Sequence, residues 1–192
     1  MNIISKCSFL KELDIRRNTI SSSLCYPNLY SSLPPLRFLS KLTLFGHGMD
    51  EKDFELFCQY SQIEELCLLN RSLERKKKYS NYYLDNTYED RYPFHFLTKL
   101  KNLKKLKIGN GIVTNYEYPV MNKEDIQHFY SCLNLTHLQI DHYILEEDIC
   151  YHASKKSPSL KYIYLNDCLV VQNPSSCFNV QEKRLETSKF YF

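Results

Sequence analysis

The sequence predicts an α/β fold: a solenoid of about six coils, with a parallel concave sheet and helices on the convex side. Three observations predict it. An apolar pattern recurs along the chain, its copies are separated by lengths suited to one coil each, and the intervening segments carry helical periodicity. The pattern is apolar-x-x-apolar-x-apolar-x-x-x-x-apolar. Its six copies are Leu10-Leu13-Ile15-Ile20, Leu39-Leu42-Leu44-Met49, Ile63-Leu66-Leu68-Leu73, Leu103-Leu106-Ile108-Val113, Leu135-Leu138-Ile140-Leu145 and Leu160-Ile163-Leu165-Val170. They begin 29, 24, 40, 32 and 25 residues apart.

The two apolar residues separated by one position share a face of a short strand, and their neighbours point the other way. The flanking apolar residues close the turns into and out of that strand. One such coil cannot bury its apolar face alone, so successive coils must stack. Between copies, Asp50 opens a helix over 50–61, with Phe54, Phe57 and Cys58 at helical spacing and acids at its positive end. The 40-residue interval holds an excess placed at about 74–95, polar and tyrosine-rich, read as a surface insertion. Within it, Arg75-Lys76-Lys77-Lys78 is either a solvated run, a nuclear import signal or a contact for an acidic partner. Asn122 opens a second helix carrying Ile126, Phe129, Tyr130 and Leu133. A third, 146–156, begins with three acids, ends with Lys155 and Lys156, and is stopped by Ser157-Pro158. Residues 1–175 are thus expected to form the solenoid, and 176–192 a C-terminal cap or tail.

The repeat resembles that of the leucine-rich repeat family, L-x-x-L-x-L-x-x-N/C-x-L. LKYIYLNDCLV at 160–170 matches it with Cys168 at the N/C position, and LKELDIRRNTI at 10–20 with Asn18. The other copies place His47, Arg71, Gly111 and Tyr143 there, with Asn70 and Asn110 one residue earlier. Helices behind the strands and a cysteine at that position are similar to the ribonuclease-inhibitor-like and F-box-associated subclasses. The resemblance implies a protein-interaction module, as in F-box proteins that hold substrates for cullin–RING ubiquitin ligases, with the ligase adaptor as a further partner of a longer F-box chain. No F-box is visible before the first repeat, and Leu33-Pro34-Pro35-Leu36 lies between repeats one and two. A structural or sensor repeat subunit is the alternative.

Composition narrows the function classes. The 192 residues carry 25 Lys and Arg against 22 Asp and Glu, a net charge of +3 that gives no reason to expect nucleic acid as a partner. Four glycines leave little material for phosphate-binding loops, and neither G-x-G-x-x-G nor G-x-x-x-x-G-K-[ST] occurs. No run of 18 apolar residues predicts a membrane span. Lys6, Lys11 and Glu12 interrupt the amino-terminal apolar residues, unlike a secretory leader. The 8 scattered cysteines are then read as reduced thiols of a cytoplasmic or nuclear protein. No C-x-x-C or H-E-x-x-H occurs, and no cysteine stands near a base and an orienting acid. His137, Asp141 and His142 are close in sequence but lack further ligands. The chain is therefore read as a non-enzyme with no catalytic, cofactor or metal site.

The outward strand positions form three columns. The first is Glu12, Lys41, Glu65, Lys105, His137 and Tyr162; the second is Asp14, Thr43, Cys67, Lys107, Gln139 and Tyr164. The third is Arg16, Phe45, Leu69, Gly109, Asp141 and Asn166. Apolar and aromatic anchors beside charges suit protein recognition. The expected partner-binding residues on this concave face are Phe45, Cys67, Leu69, Lys105, Lys107, His137, Gln139, Asp141, Tyr162 and Tyr164.

Overall fold

The computed structural model describes residues 9–15, 36–45, 51–70, 94–110, 120–145, 149–170 and 183–191. Among these the fold is α/β, with one nine-stranded sheet and short helices. The strands are β1 (Glu12–Ile15), β2 (Lys41–Phe45), β3 (Glu65–Asn70), β4 (Lys105–Asn110), β5 (Val120–Met121), β6 (His137–Asp141), β7 (Ile144–Leu145), β8 (Tyr162–Val170) and β9 (Lys183–Tyr191). All pair in parallel except β9, which runs antiparallel to β8. The principal order is β1-β2-β3-β4-β6-β8.

The repeat sets the register. Leu13, Leu42, Leu66, Leu106, Leu138 and Ile163 stand abreast, and so do Glu12, Lys41, Glu65, Lys105, His137 and Tyr162. In the second to sixth units the leading apolar residue closes a tight turn: Leu39 N–H donates to Leu36 O, Ile63 to Tyr60, Leu103 to Leu100, Leu135 to Cys132 and Leu160 to Ser157, all at 3.0–3.1 Å. One carbonyl of each unit then accepts two consecutive N–H groups from the next. Lys11 O takes those of Ser40 and Lys41, Ser40 O those of Glu64 and Glu65, and the relay continues through Glu64, Lys104 and Thr136. The groups that a strand entry would leave unsatisfied are thereby paired between units.

Among the described residues three α-helices lie between strands: α1 (Glu51–Cys58), α2 (Lys123–Tyr130) and α3 (Ile149–Lys156). Each falls inside a segment with the expected helical spacing. At the start of α2, Asn122 Oδ1 accepts the Asp125 N–H at 2.8 Å while Asp125 Oδ2 accepts the Asn122 N–H at 3.3 Å, a reciprocal cap. Asp50 and residues 146–148, expected at the other two helix starts, lie outside the described residues. A 3₁₀ helix, Phe94–Lys99, occupies the corresponding place between β3 and β4. Phe94 and His95, at the edge of the insertion expected at about 74–95, open this helix, and Phe94, Phe96 and Leu97 are buried. Positions 74–93 lie outside the described residues.

Inward residues of β2–β8 and of the helices form a single buried apolar cluster that includes Leu44, Phe54, Leu68, Phe129, Leu138 and Leu165, with Leu13 of β1 partly buried against it. Phe129 of α2 meets Phe94 edge-on at 5.2 Å, tying α2 to the 3₁₀ helix.

Two features were not expected. First, β5, β7 and the end of β8 form a second narrow ladder, Val120↔Ile144↔Leu169 and Met121↔Leu145↔Val170. Of the trailing repeat positions, Leu145 and Val170 are buried within it; Ile20, Met49, Leu73 and Val113 lie outside the described residues. The chain reaches this ladder through His142 (φ 61°) and Asp167 (φ 49°), at equivalent places in their units. His and Asp are among the non-glycine types enriched in left-handed backbone, and Gly46, Asn70 and Asn110 hold the same position in other copies. Second, β9 pairs with β8 from Val170↔Lys183 to Tyr162↔Tyr191. Positions 176–182 and 192, within the expected cap or tail, lie outside the described residues. No described helix is long and apolar enough to cross a membrane.

Candidate interaction face

Parallel sheets are usually covered on both faces. Here the helices cover one, and the other presents the outward residues of β1–β4, β6 and β8. A groove of about 460 Å³ runs over it from Glu12, Asp14, Lys41 and Thr43, past Glu65 and Cys67, to Lys105, Lys107, His137, Gln139 and Tyr164.

The first column is an alternating charge ladder. Lys41 Nζ lies 2.9 Å from Glu12 and 3.9 Å from Glu65, and Lys105 Nζ lies 2.9 Å from the other Glu65 oxygen. Opposite charges abreast in a sheet attract across strands, though at this exposure each pair contributes little to stability. The Lys105 hydrogen bond, chiefly, holds the Glu65 carboxyl below its ordinary range. The ladder ends at His137, whose ring stacks on Tyr162 at 4.4 Å and shares a 2.8 Å hydrogen bond with Thr136 Oγ1. Burial first, then the Lys105 charge, lowers the pKa of His137, while Glu65 opposes the shift.

In the third column Asp141, with its side chain only 13% exposed, accepts from Lys107 Nζ at 3.0 Å, from Gln139 Nε2 at 2.9 and 3.1 Å, and from Asn166 Nδ2. Gly109 makes room for it: a Cβ there would lie 3.1 Å from Leu69 Cδ2 and 3.4 Å from Asp141 Oδ2. Lys105 and Lys107 are therefore neutralised, by Glu65 and Asp141.

Of the ten expected residues, Cys67, Lys105, Lys107, His137, Gln139 and Tyr164 line the groove together. Asp141, Leu69 and Tyr162 stand on the same face outside its lining, with Asp141 bonded to Lys107 and Tyr162 stacked on His137. Phe45 is abreast of Leu69, and its side chain lies outside the described residues. Glu12, Asp14, Lys41, Thr43 and Glu65 also line the groove but were not among the expected site residues. Their signal was present in the first two columns. Among the described residues, no three His, Cys, Asp or Glu side chains group as metal ligands would.

Cys168, at the N/C position, is fully buried, and its thiol donates to the Ile140 carbonyl at 3.3 Å. Burial pushes this thiol up to about 11, and those of Cys58 and Cys132 up to about 12. Cys67 is half-buried at the groove. Since the thiolate is the nucleophile, iodoacetamide at about pH 8 is expected to alkylate Cys67 well before Cys58, Cys132 and Cys168. Peptide mass mapping of the native protein checks this, and equal labelling of all four would contradict the described burial.

Acid is expected to weaken the face. A lowered His137 pKa means that folding favours the neutral ring, so its contribution is whole above the ordinary value of 6.5 and is lost as pH falls through the folded value. Glu65 acts in the same direction lower down, below its ordinary 4.5. The melting temperature should therefore fall between about pH 7 and 5, and the His137→Gln variant should show a flatter profile. An unchanged profile would remove His137 as a contributor.

Neither a protein-family model nor a curated protein matches this chain.

Proposed function

We propose that this chain is a leucine-rich repeat solenoid of about six coils that recognises another protein through its concave sheet face and performs no chemistry of its own. One observation carries the reading: a sheet face that no described element covers, with a groove in which a half-buried thiol, imidazole and tyrosine sit between self-neutralised charges. Half-buried apolar and aromatic groups offer area for burial, and the paired charges form a polar rim. Because Lys41, Lys105 and Lys107 already face carboxylates, a polyanion such as nucleic acid would have to break those pairs. A reduced, cytoplasmic or nuclear setting fits the scattered cysteines.

In the family setting the partner is a substrate presented to a cullin–RING ubiquitin ligase, with the ligase adaptor as a second partner of a longer F-box chain. The second reading, a structural or sensor repeat subunit, is favoured by the exposed aromatic pair at the β1 end of the sheet, where Phe9 is 79% and Phe38 51% exposed.

Affinity purification with wild type beside a Leu69→Ala, Tyr164→Ala double variant tests the site. Specific partners should fall at least about tenfold in the variant, the loss expected when contact anchors are truncated. Partners retained equally by both would sink the sheet-face reading. Failure to capture ligase adaptor or cullin with the full chain would remove only the ubiquitin role.

A further inference from the structure

The described cations divide by place. On the sheet face Lys41, Lys105 and Lys107 each meet a carboxylate, and on the helical side Lys99 meets Glu55 at 2.6 Å. The strand-entry rim, where the chain turns into β1–β4, β6 and β8, is different. Lys11 and Lys161 stand directly before β1 and β8, and Arg37 and Lys101 lie in the tight turns that Leu39 and Leu103 close. All four are exposed, and no described carboxylate pairs with any of them. Glu64, the acid among the described turn residues of this rim, is held by Lys104 at 3.0 Å.

Exposed apolar groups collect in the same place. Of the large apolar residues that stay exposed, Phe9, Phe38 and Leu133 lie on this rim and Leu56 lies on α1. Phe9 and Phe38, each directly before the leading apolar residue of its unit, stack on each other at 5.5 Å. Leu133, 83% exposed, holds in its turn the place that Arg37 and Lys101 hold in theirs. Single exposed apolar residues need no explanation, but a row of them along one edge marks an interaction site. With strands about 4.8 Å apart, the path from β1 to β8 makes this rim about 24 Å long.

We propose that the strand-entry rim docks an extended acidic segment of a partner protein. Its carboxylates face Lys11, Arg37, Lys101 and Lys161, and its apolar side chains lie on the Phe9–Phe38 stack and on Leu133. At about 3.4 Å per residue, some seven extended residues span the rim. Unpaired cations give such a segment its charge complement without breaking any pair on the sheet face, and the apolar groups between them give it anchors. A nucleic acid suits the rim less well. Its backbone carries a charge at every step and would have to pass Glu64, where a peptide can place a neutral residue. The inference does not rest on what binds the sheet face.

Fluorescence anisotropy with the full chain tests it. The probe is a labelled peptide of about eight residues alternating glutamate and leucine, and its counterpart with glutamine for glutamate is the neutral control. The acidic probe should bind with a dissociation constant below about 100 µM at about 0.05 M salt, and at least about tenfold more weakly at about 0.5 M, as screening shortens the reach of charge. The variants Lys11→Glu, Arg37→Glu and Lys101→Glu, Lys161→Glu reverse opposite halves of the rim at exposed positions, so each carries the test alone. Each should weaken binding by at least about tenfold. Phe9→Ser, Leu133→Ser, both at largely exposed sites, should weaken it about fivefold with every charge kept. The sheet-face variant Leu69→Ala, Tyr164→Ala should bind the probe as wild type does. No saturable binding, equal binding of the neutral control, or binding that survives both charge reversals would each overturn the proposal. So would a loss confined to the sheet-face variant, or tighter binding of an oligothymidylate than of the acidic peptide.

Discussion

Replacing Phe129 by alanine is expected to cost about 3–5 kcal/mol, the range for truncating a buried phenylalanine. Phe129 is 0% exposed, and its ring meets Phe94 edge-on at 5.2 Å, so the side chain joins α2 to the 3₁₀ helix of the preceding unit. Truncation removes the transfer energy of the ring and leaves a cavity whose walls belong to different elements. The loss is comparable to much of a typical domain's stability. Urea unfolding followed by circular dichroism measures it. A Phe94→Ala partner should show a coupling of about 0.5–1.5 kcal/mol in the double-mutant cycle, the excess that an aromatic pair adds to burial. A Phe129→Ala loss under about 1 kcal/mol, the usual centre for point variants, would mean that α2 does not dock as described.

Asp141→Ala is expected to be the most damaging change on the open face, at about 1–3 kcal/mol for donors left without their acceptor. Lys107, Gln139 and Asn166 all point donors at this one carboxylate. Lys107, 40% exposed, can turn to water; Gln139 and Asn166 are half-buried and have less room to do so. The contrast with Glu12→Ala is informative. Glu12 is 67% exposed and pairs with an exposed Lys41, so its loss should fall within about 0.5 kcal/mol. Comparing the two variants in urea separates a network that organises the face from an ion pair that decorates it. Equal effects would refute that distinction.

Strand positions were legible because their signal is local. Leu138 and Ile140 alternate with Gln139 and Asp141 in a period of two, and that alone assigns faces. The start of α2 was legible for the same reason, since Asn122 and Asp125 satisfy each other within one turn. The 3₁₀ helix was hidden: FHFLTK is too short for a helical period to emerge and adjoins the polar run placed before it. The β5–β7–β8 ladder was hidden as well. Val120–Met121 and Ile144–Leu145 are two-residue strands, and only their distant partners make them strands at all.

The same division runs through the candidate site. Alternation named the residues of the open face, including Cys67, His137 and Tyr164, before any partner was known. It did not assign the pairs. The sheet sets Lys105 and Lys107 against Glu65, 40 residues before Lys105, and Asp141, on the next strand of the principal ladder. Positions 183–191 carried no repeat, and only pairing with β8 makes them an antiparallel strand beside an otherwise parallel ladder.

By itself the sequence determined which residues turn inward and which outward, because periodicity along a strand depends on backbone geometry alone. The tertiary structure decided which charges cancel, where the groove opens and what lies at each end of the sheet. Those depend on distances between units, which the connecting segments and their turns set, and no local pattern encodes them.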